Sequence, residues 1–384
     1  MKETLHEFYK LSPKKVDEIW NDGILVLDTN VLLDLYRLGK TARRDLKKSI
    51  DFFGERVWIP YQVALEFHRN REQVIKDLGG AMYDRFKKTL NDSLALVVKD
   101  QFKDFRKHPC IDFAYIEKAL DRFTQDLNNK VEVWEKAYPF KVDDDSILKW
   151  VTKKFEGRVG EDNTKEELLS IYKDGNIRYQ AQLPPGYKDL ANKDKKEAGL
   201  RFLYGDLIIW LSVIRKAKED KKDVILLTND TKEDWYDKHK GQMKGPRFEL
   251  LREFHKETGR DIIIMTEAAF LAEARAKTGV EVQKSSIEDA EKALAPELVL
   301  EPFASPKWEG LSYLNSVFSP KFLESYKSFH KYYGLLDTIN EPVQPATVNV
   351  PPLYESVLNR YPSGWINESV LEHREVEPDI EKDK

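Results

Sequence analysis

Three short runs of uninterrupted apolar residues constrain this chain more than anything else in it: Ile24-Leu25-Val26-Leu27, Val224-Ile225-Leu226-Leu227 and Ile262-Ile263-Ile264-Met265. Apolar residues without polar alternation describe strands buried on both faces, the habit of parallel sheets covered by helices. Helical patterns separate the runs: a helix ahead of the first strand (Lys14 to Trp20), then Arg43 to Phe53, Arg247 to Glu257 and Thr266 to Ala276. Such alternation predicts an α/β fold with a parallel sheet. Two of the strands end in an acid: Asp28 directly, and Asp230 after Thr228-Asn229. In open α/β sheets the turns at the carboxyl ends of the strands are where ligands bind. Asn30 suits the cap of the helix that follows, which leaves Asp28 in the strand-to-helix turn; helix capping alone would also account for both residues.

Composition narrows the setting. The 384 residues are 41% hydrophobic and 34% charged, a globular balance with a very polar surface and ample volume for a core. No run approaches a membrane span, the first residues lack the apolar centre of a signal peptide, and Cys110 is the single cysteine. An intracellular, cytoplasmic protein is expected, with no membrane partner. The formal net charge of -4 argues against a broad cationic surface, so a phosphate-bearing substrate would be met locally by a metal or a small basic patch.

Further chemistry is spread along the chain. Val57-Trp58-Ile59 reads as a short strand and Pro60 as the first turn of a helix in which Glu66 lies beside the apolar face of Val63, Ala64 and Phe67. Residues 79–200 are charged and mostly helical, without a strand run, and read as an insertion; Thr164-Lys165-Glu166-Glu167 is a capping-box pattern within it. The insertion closes on Pro184-Pro185-Gly186-Tyr187-Lys188-Asp189, a rigid turn able to present its last three residues to a site, although a connector would look the same. Asp206 then falls at the entrance of an apolar helix, where dipole capping is the simpler explanation. If the strands of Asp28 and Asp230 are neighbours, Asp28, Glu66, Asp206 and Asp230 open on one edge. Their mutual repulsion is tolerable with a divalent cation, and oxygen donors favour Mg2+ or Mn2+ over Zn2+. The chemistry such a centre supports is metal-dependent hydrolysis of a nucleic-acid backbone.

The segments Leu27-Asp28-Thr29-Asn30, Ala64-Leu65-Glu66-Phe67, Tyr204-Gly205-Asp206-Leu207-Ile208 and Leu227-Thr228-Asn229-Asp230 resemble the motifs of the PIN domain, a nuclease family, in its bacterial PIN-like branch with a long helical insertion. The resemblance covers about residues 22–277, and the 184–189 loop looks like one that recurs in that branch. It implies a Rossmann-like three-layer α/β/α sandwich, Mg2+ or Mn2+, and endonucleolytic cleavage, usually of RNA. Asp28, Glu66, Asp206 and Asp230 match the acidic quartet, as catalytic residues and metal ligands; Asn30 and Thr228 match its polar supports. On this reading residues 1–280 form the nuclease domain, with the insertion at about 79–200, and 281–384 form a C-terminal extension. Arg178, Tyr187 and Lys188 are expected to hold the scissile strand, and the extension to meet a protein partner. Toxin, defence effector and RNA-processing enzyme are all compatible roles.

Two other classes compete. A non-catalytic PIN-like module would bind nucleic acid or protein through the insertion and tail. A haloacid-dehalogenase-like phosphatase would also place Asp at its first strand tip, but needs an acid two residues on, where this chain has Asn30. In the tail, Phe322, Tyr326, Phe329 and Tyr333 share a helical stripe beside lysines, a pattern of packing more often than of nucleic-acid binding.

Overall fold

In the computed structural model, residues 1, 4–239 and 242–294 are described. The C-terminal extension beyond residue 294, with its aromatic stripe, lies outside them.

Four parallel strands form the central sheet. β1 (Ile24–Leu27), β2 (Val57–Trp58), β3 (Val224–Leu227) and β6 (Ile262–Met265) stand in the order β2-β1-β3-β6. Leu27 pairs with Leu227 and Leu227 with Met265, so three carboxyl ends finish level. Every residue of β1, β3 and β6 is buried, as the apolar runs predict. Helices cover both faces, giving the three-layer α/β/α sandwich. On one side, Trp20 of helix Pro13–Asp22 stacks on Phe270 of helix Glu267–Lys277, with Phe53 beside them. On the other, Trp210 of helix Gly205–Asp220 packs against Phe254 of helix Phe248–Thr258.

The polar strands β4 (Tyr236–His239) and β5 (Gln242–Pro246) form an antiparallel hairpin that the sequence pattern does not announce, since neither has apolar alternation. Helix Lys284–Leu294 is tied to helix Lys40–Asp51, because Asp45 accepts hydrogen bonds from Gln283 N (3.1 Å) and Ser286 Oγ (2.7 Å).

The chain divides into two compact units. The first, which among the described residues takes in 1, 4–32, 38–64, 157–239 and 242–294, holds the sheet. The second, Leu33–Arg37 with Leu65–Glu156, is helical, with Tyr36, Phe67, Phe140, Ile147 and Val151 buried. Its Asp145 caps helix Ser146–Phe155 and also accepts from the Tyr36 hydroxyl at 2.6 Å and from Arg71 at 3.2 Å. Of the segment read as an insertion over 79–200, residues 79–156 fall in the second unit and 157–200 in the first. Residues 157–200 belong with the sheet, because Val159 bridges Ile59 in parallel and Arg215 of helix Gly205–Asp220 donates to Asn163 at 2.6 Å. The predicted capping box is present: Glu167 N donates to Thr164 Oγ1 and Thr164 N to the Glu167 carboxylate. Among the described residues no helix is long and apolar enough to cross a membrane.

Candidate active site

The tip of β1 is built around Asp28. Its backbone carbonyl accepts from Leu32 N, which opens helix Thr29–Arg37, and its Oδ1 accepts from Thr29 N at 2.6 Å. Asp28 itself is therefore the cap of that helix. Asn30, expected in that role, lies inside the helix and turns its amide elsewhere: Nδ2 donates to Asp28 Oδ2 at 2.7 Å and to Thr228 Oγ1 at 3.2 Å. Thr228, at the tip of β3 and fully buried, donates its hydroxyl to the same Asp28 oxygen at 2.7 Å and accepts from Asp230 N at 3.1 Å. One hydroxyl thus links the acids of two neighbouring strands.

The network reaches the third strand through Asn229. Its backbone N donates to Asn30 Oδ1 (2.9 Å), while its own Oδ1 accepts from Glu267 N (2.9 Å) and its Nδ2 donates to Glu267 Oε2 (3.3 Å) at the tip of β6. Buried strand ends leave backbone and side-chain polar groups that must be paired, and these amides pair them.

Asp206 enters from the second residue of helix Gly205–Asp220 and accepts from the indole of Trp235 at 3.4 Å. Asp206 and Asp230 lie near enough for the charge of one to act on the other. Burial, followed by the charge of Asp206, pushes the Asp230 carboxyl up from its ordinary value. For Asp206 burial also acts upward, but Lys195 and Lys232 outweigh it and the carboxyl is held down. Asp234 is fully buried, and burial with the nearby Asp230 and Asp206 pushes it up to about 6 although Lys188 N bonds its Oδ2. Its Oδ1 is buried without a hydrogen-bond partner.

The expected substrate-binding residues fall differently. Arg178 is 1% exposed, and its guanidinium makes a bidentate pair with Glu253 (2.9 and 2.8 Å) and donates to Pro184 O at 2.6 Å. Glu253 also accepts from the Trp210 indole at 2.8 Å. Arg178 does not reach out to a strand of nucleic acid; it is the internal brace of the 184–189 loop. Tyr187 is half-buried and packs on the cluster of Tyr179, Leu203, Tyr204 and Leu207, and burial pushes its hydroxyl up. Lys188 is at the surface, paired with Glu233 at 2.6 Å. The loop residue that reaches the acids is Asp189, which accepts from Lys195 and, at 3.1 Å, from Lys232. Lys195 is also 3.6 Å from Asp206, and Lys232 is 2.8 Å from Asp230. Gly186 allows the approach: at φ 91° its missing Cβ would lie 2.1 Å from the Tyr179 hydroxyl and 3.0 Å from Asp206 Cβ.

Glu66 lies in helix Tyr61–Lys76, half-buried, in the second unit, whereas Asp28, Asp206 and Asp230 share the first. Asp234, Asn229, Lys195 and Lys232 are residues that the sequence alone did not single out as members of the site; Asp189 was read only as one of three residues that the loop could present.

The donor set fits a hard divalent cation. It consists of carboxylate oxygens, two of them in mutual repulsion, with a further buried carboxylate oxygen left unpaired, and such a set favours Mg2+ or Mn2+. Among the described residues, the acids do not converge as a trio of ligand atoms within 4.8 Å; His6, His255 and Asp261 do. Those three lie at the amino edge of the sheet, since Asp261 immediately precedes β6. There the imidazoles stack at 3.6 Å, and Lys15 already stands 3.5 Å from Asp261.

The sequence model of the family described as PIN like domain matches residues 24–250, more than half of the chain. The chain belongs to that PIN-like family. No curated protein and no solved structure matches it.

Proposed function

We propose that this protein is a metal-dependent endonuclease that hydrolyses phosphodiester bonds, with RNA as its substrate. The observation that supports the reading best is the single hydrogen-bonded network in which Thr228 donates to the Asp28 carboxylate and accepts from the backbone N of Asp230, with the charge of Asp206 acting on Asp230, at the carboxyl edge of a PIN-like sheet. In this proposal Asp28, Asp206 and Asp230 hold Mg2+ or Mn2+, which supplies a water of lowered pKa and neutralises charge on the phosphate. Glu66 is retained as the fourth acid, ligand or orienter of the attacking water, on the strength of its motif. The hydrolysis forms a bond from the water oxygen to phosphorus and breaks one bond from phosphorus to a sugar oxygen. One proton of the water is lost to a carboxylate or solvent, and the leaving oxygen takes up another. Thr228 and Asn30 fix the Asp28 carboxylate by donating to the oxygen it would otherwise be free to rotate.

The test is incubation of the protein with labelled single-stranded RNA, structured RNA, single-stranded DNA and duplex DNA, with Mg2+, Mn2+ or EDTA, beside Asp28→Asn and Asp206→Asn. Expected is cutting of RNA that needs metal and falls roughly a thousandfold in either variant, with circular dichroism unchanged. Undiminished cutting by both variants, or none by the wild type with any metal and substrate, would refute the proposal. The C-terminal extension is proposed as the contact for a protein partner, to be sought by comparing pull-downs with and without residues 295–384.

A further inference from the structure

Two lysines stand among the acids, each partly exposed and each paired with two carboxylates. Lys195 comes from the short helix Lys193–Glu197 and Lys232 from the turn after β3, yet both point their ammonium groups at the same carboxylate, Asp189. Asp189 is an interior residue, its side chain 2% exposed, while the two lysines retain 31% and 45%. The lysines therefore lie between a buried acid and solvent. Each also touches one of the acids proposed to hold metal: Lys195 at 3.6 Å from Asp206, Lys232 at 2.8 Å from Asp230. Lysine side chains lose rotamer freedom when pinned in this way, and the result is two ammonium groups, each still partly open to solvent, gathered over one interior carboxylate beside the acid cluster.

We propose that Lys195 and Lys232, spaced by Asp189, are the phosphate-binding pair of the site: their ammonium groups contact the non-bridging oxygens of the phosphodiester that lies against the carboxyl edge. This rests on the nuclease reading above and names how the substrate backbone is held. Fixed positive charge beside the acids meets a dianionic transition state without reorganisation, and it gives a chain of net charge -4 a local contact for a polyanion. Asp189 is a positioning residue, which keeps the two ammonium groups apart and aimed. In this arrangement the 184–189 loop serves binding through its acid rather than through Lys188, whose charge is spent on Glu233 at the surface.

The experiment measures binding separately from cutting. Fluorescence anisotropy of a short labelled single-stranded RNA in Ca2+, over a range of salt, is compared for the wild type, Lys195→Gln, Lys232→Gln and Lys188→Gln, and Mn2+ affinity is measured for each by electron paramagnetic resonance. Expected is about tenfold weaker RNA binding for each of the first two, a salt slope shallower by about 0.7 per lysine, and little change for Lys188→Gln. Mn2+ affinity should stay or tighten, because a competing cation is removed. RNA binding and salt slope equal to the wild type in both variants would overturn the proposal, as would absence of RNA binding by the wild type. If a glutamine variant fails to fold, lysine acylation of the wild type read by mass spectrometry replaces it: RNA should protect Lys195 and Lys232, and equal labelling with and without RNA would overturn the pairing. Binding without cleavage by the wild type would sink the nuclease reading and leave the lysine pair standing; cleavage with lysine variants that bind normally would do the reverse.

Discussion

The two edges of the central sheet carry the same kinds of residue and use them in opposite ways. At the amino edge, Asp223 and Asp261 precede β3 and β6, and each finds partners: Lys15 lies 2.7 Å from Asp223 and 3.5 Å from Asp261, and His6 Nε2 lies 3.2 Å from Asp261. Burial works upward on the Asp261 carboxyl, but the His6 hydrogen bond and the charge of Lys15 outweigh it and hold the carboxyl below its ordinary value. At the carboxyl edge the same strands end among Asp28, Asp206, Asp230, Asp234 and Glu267, and burial with mutual repulsion pushes Asp230 and Asp234 up. A charge cluster that lowers the free energy of its own acids is a structural brace; one that raises it is kept for what it can bind. Of Asp206, Asp230 and Asp234 at the carboxyl edge, Asp206 alone is held down, by Lys195 and Lys232, and the contrast with the amino edge adds support to the site proposed there.

Substitutions can break this contrast, and the largest effect belongs to the carboxyl edge. Asp206→Asn should remove activity while leaving the metal-free protein folded, whereas the amino-edge Asp261→Asn should cut as fast as the wild type; equal loss in both would erase the distinction. Next comes stability measured by urea unfolding in EDTA. Asp234→Asn should stabilise at pH 7 by about 1–3 kcal/mol, since its buried acid is ionised there at a cost. The sign follows from the raised carboxyl: the penalty is absent below the ordinary value of 3.8 and complete above about 6, so the gain should grow between those pH values and then level off. Asp261→Asn should do the opposite, destabilising by about 1–2 kcal/mol at neutral pH through lost charge-assisted hydrogen bonds. Its carboxyl is lowered from 3.8, so that contribution is present above this value and lost as pH falls through the lower folded value. The smallest change is expected for His6→Ala, below about 1 kcal/mol, because His6 is partly exposed and Lys15 still serves Asp261. Stabilisation by Asp261→Asn, or destabilisation by Asp234→Asn in EDTA, would reverse the roles assigned to the two edges.

What could be read from the sequence is what is contiguous in it. The buried strands, the parallel sheet and the acids at strand tips follow from unbroken apolar runs and the residue that ends each. Asn30 and Thr228 were legible as companions of Asp28 only through the motif, and their hydrogen bonds cross from β1 to β3. Lys195 sits in Lys193-Asp194-Lys195-Lys196, which reads as a solvated charge run until Asp189 is brought beneath it. The burial of Arg178 was illegible for the same reason: a charge near a loop suggests a surface, and nothing local announces that Glu253 waits inside. The extent of the helical insertion was illegible because helical periodicity shows which face is apolar, not which unit that face packs against. The β4–β5 hairpin has no pattern to find.

The brace of Arg178, Glu253, Trp210 and Pro184 has a consequence for genetics. It joins helix Lys165–Gln180, helix Gly205–Asp220 and helix Phe248–Thr258 to the loop that carries Asp189. A selection for inactive alleles should therefore recover lesions at positions 178, 210 and 253 alongside those at the acids, although none of these three side chains faces the substrate in the reading given above. Sorting the two kinds of allele would take a soluble-protein blot rather than an activity assay, since only the brace alleles should lower the amount of protein in the cell.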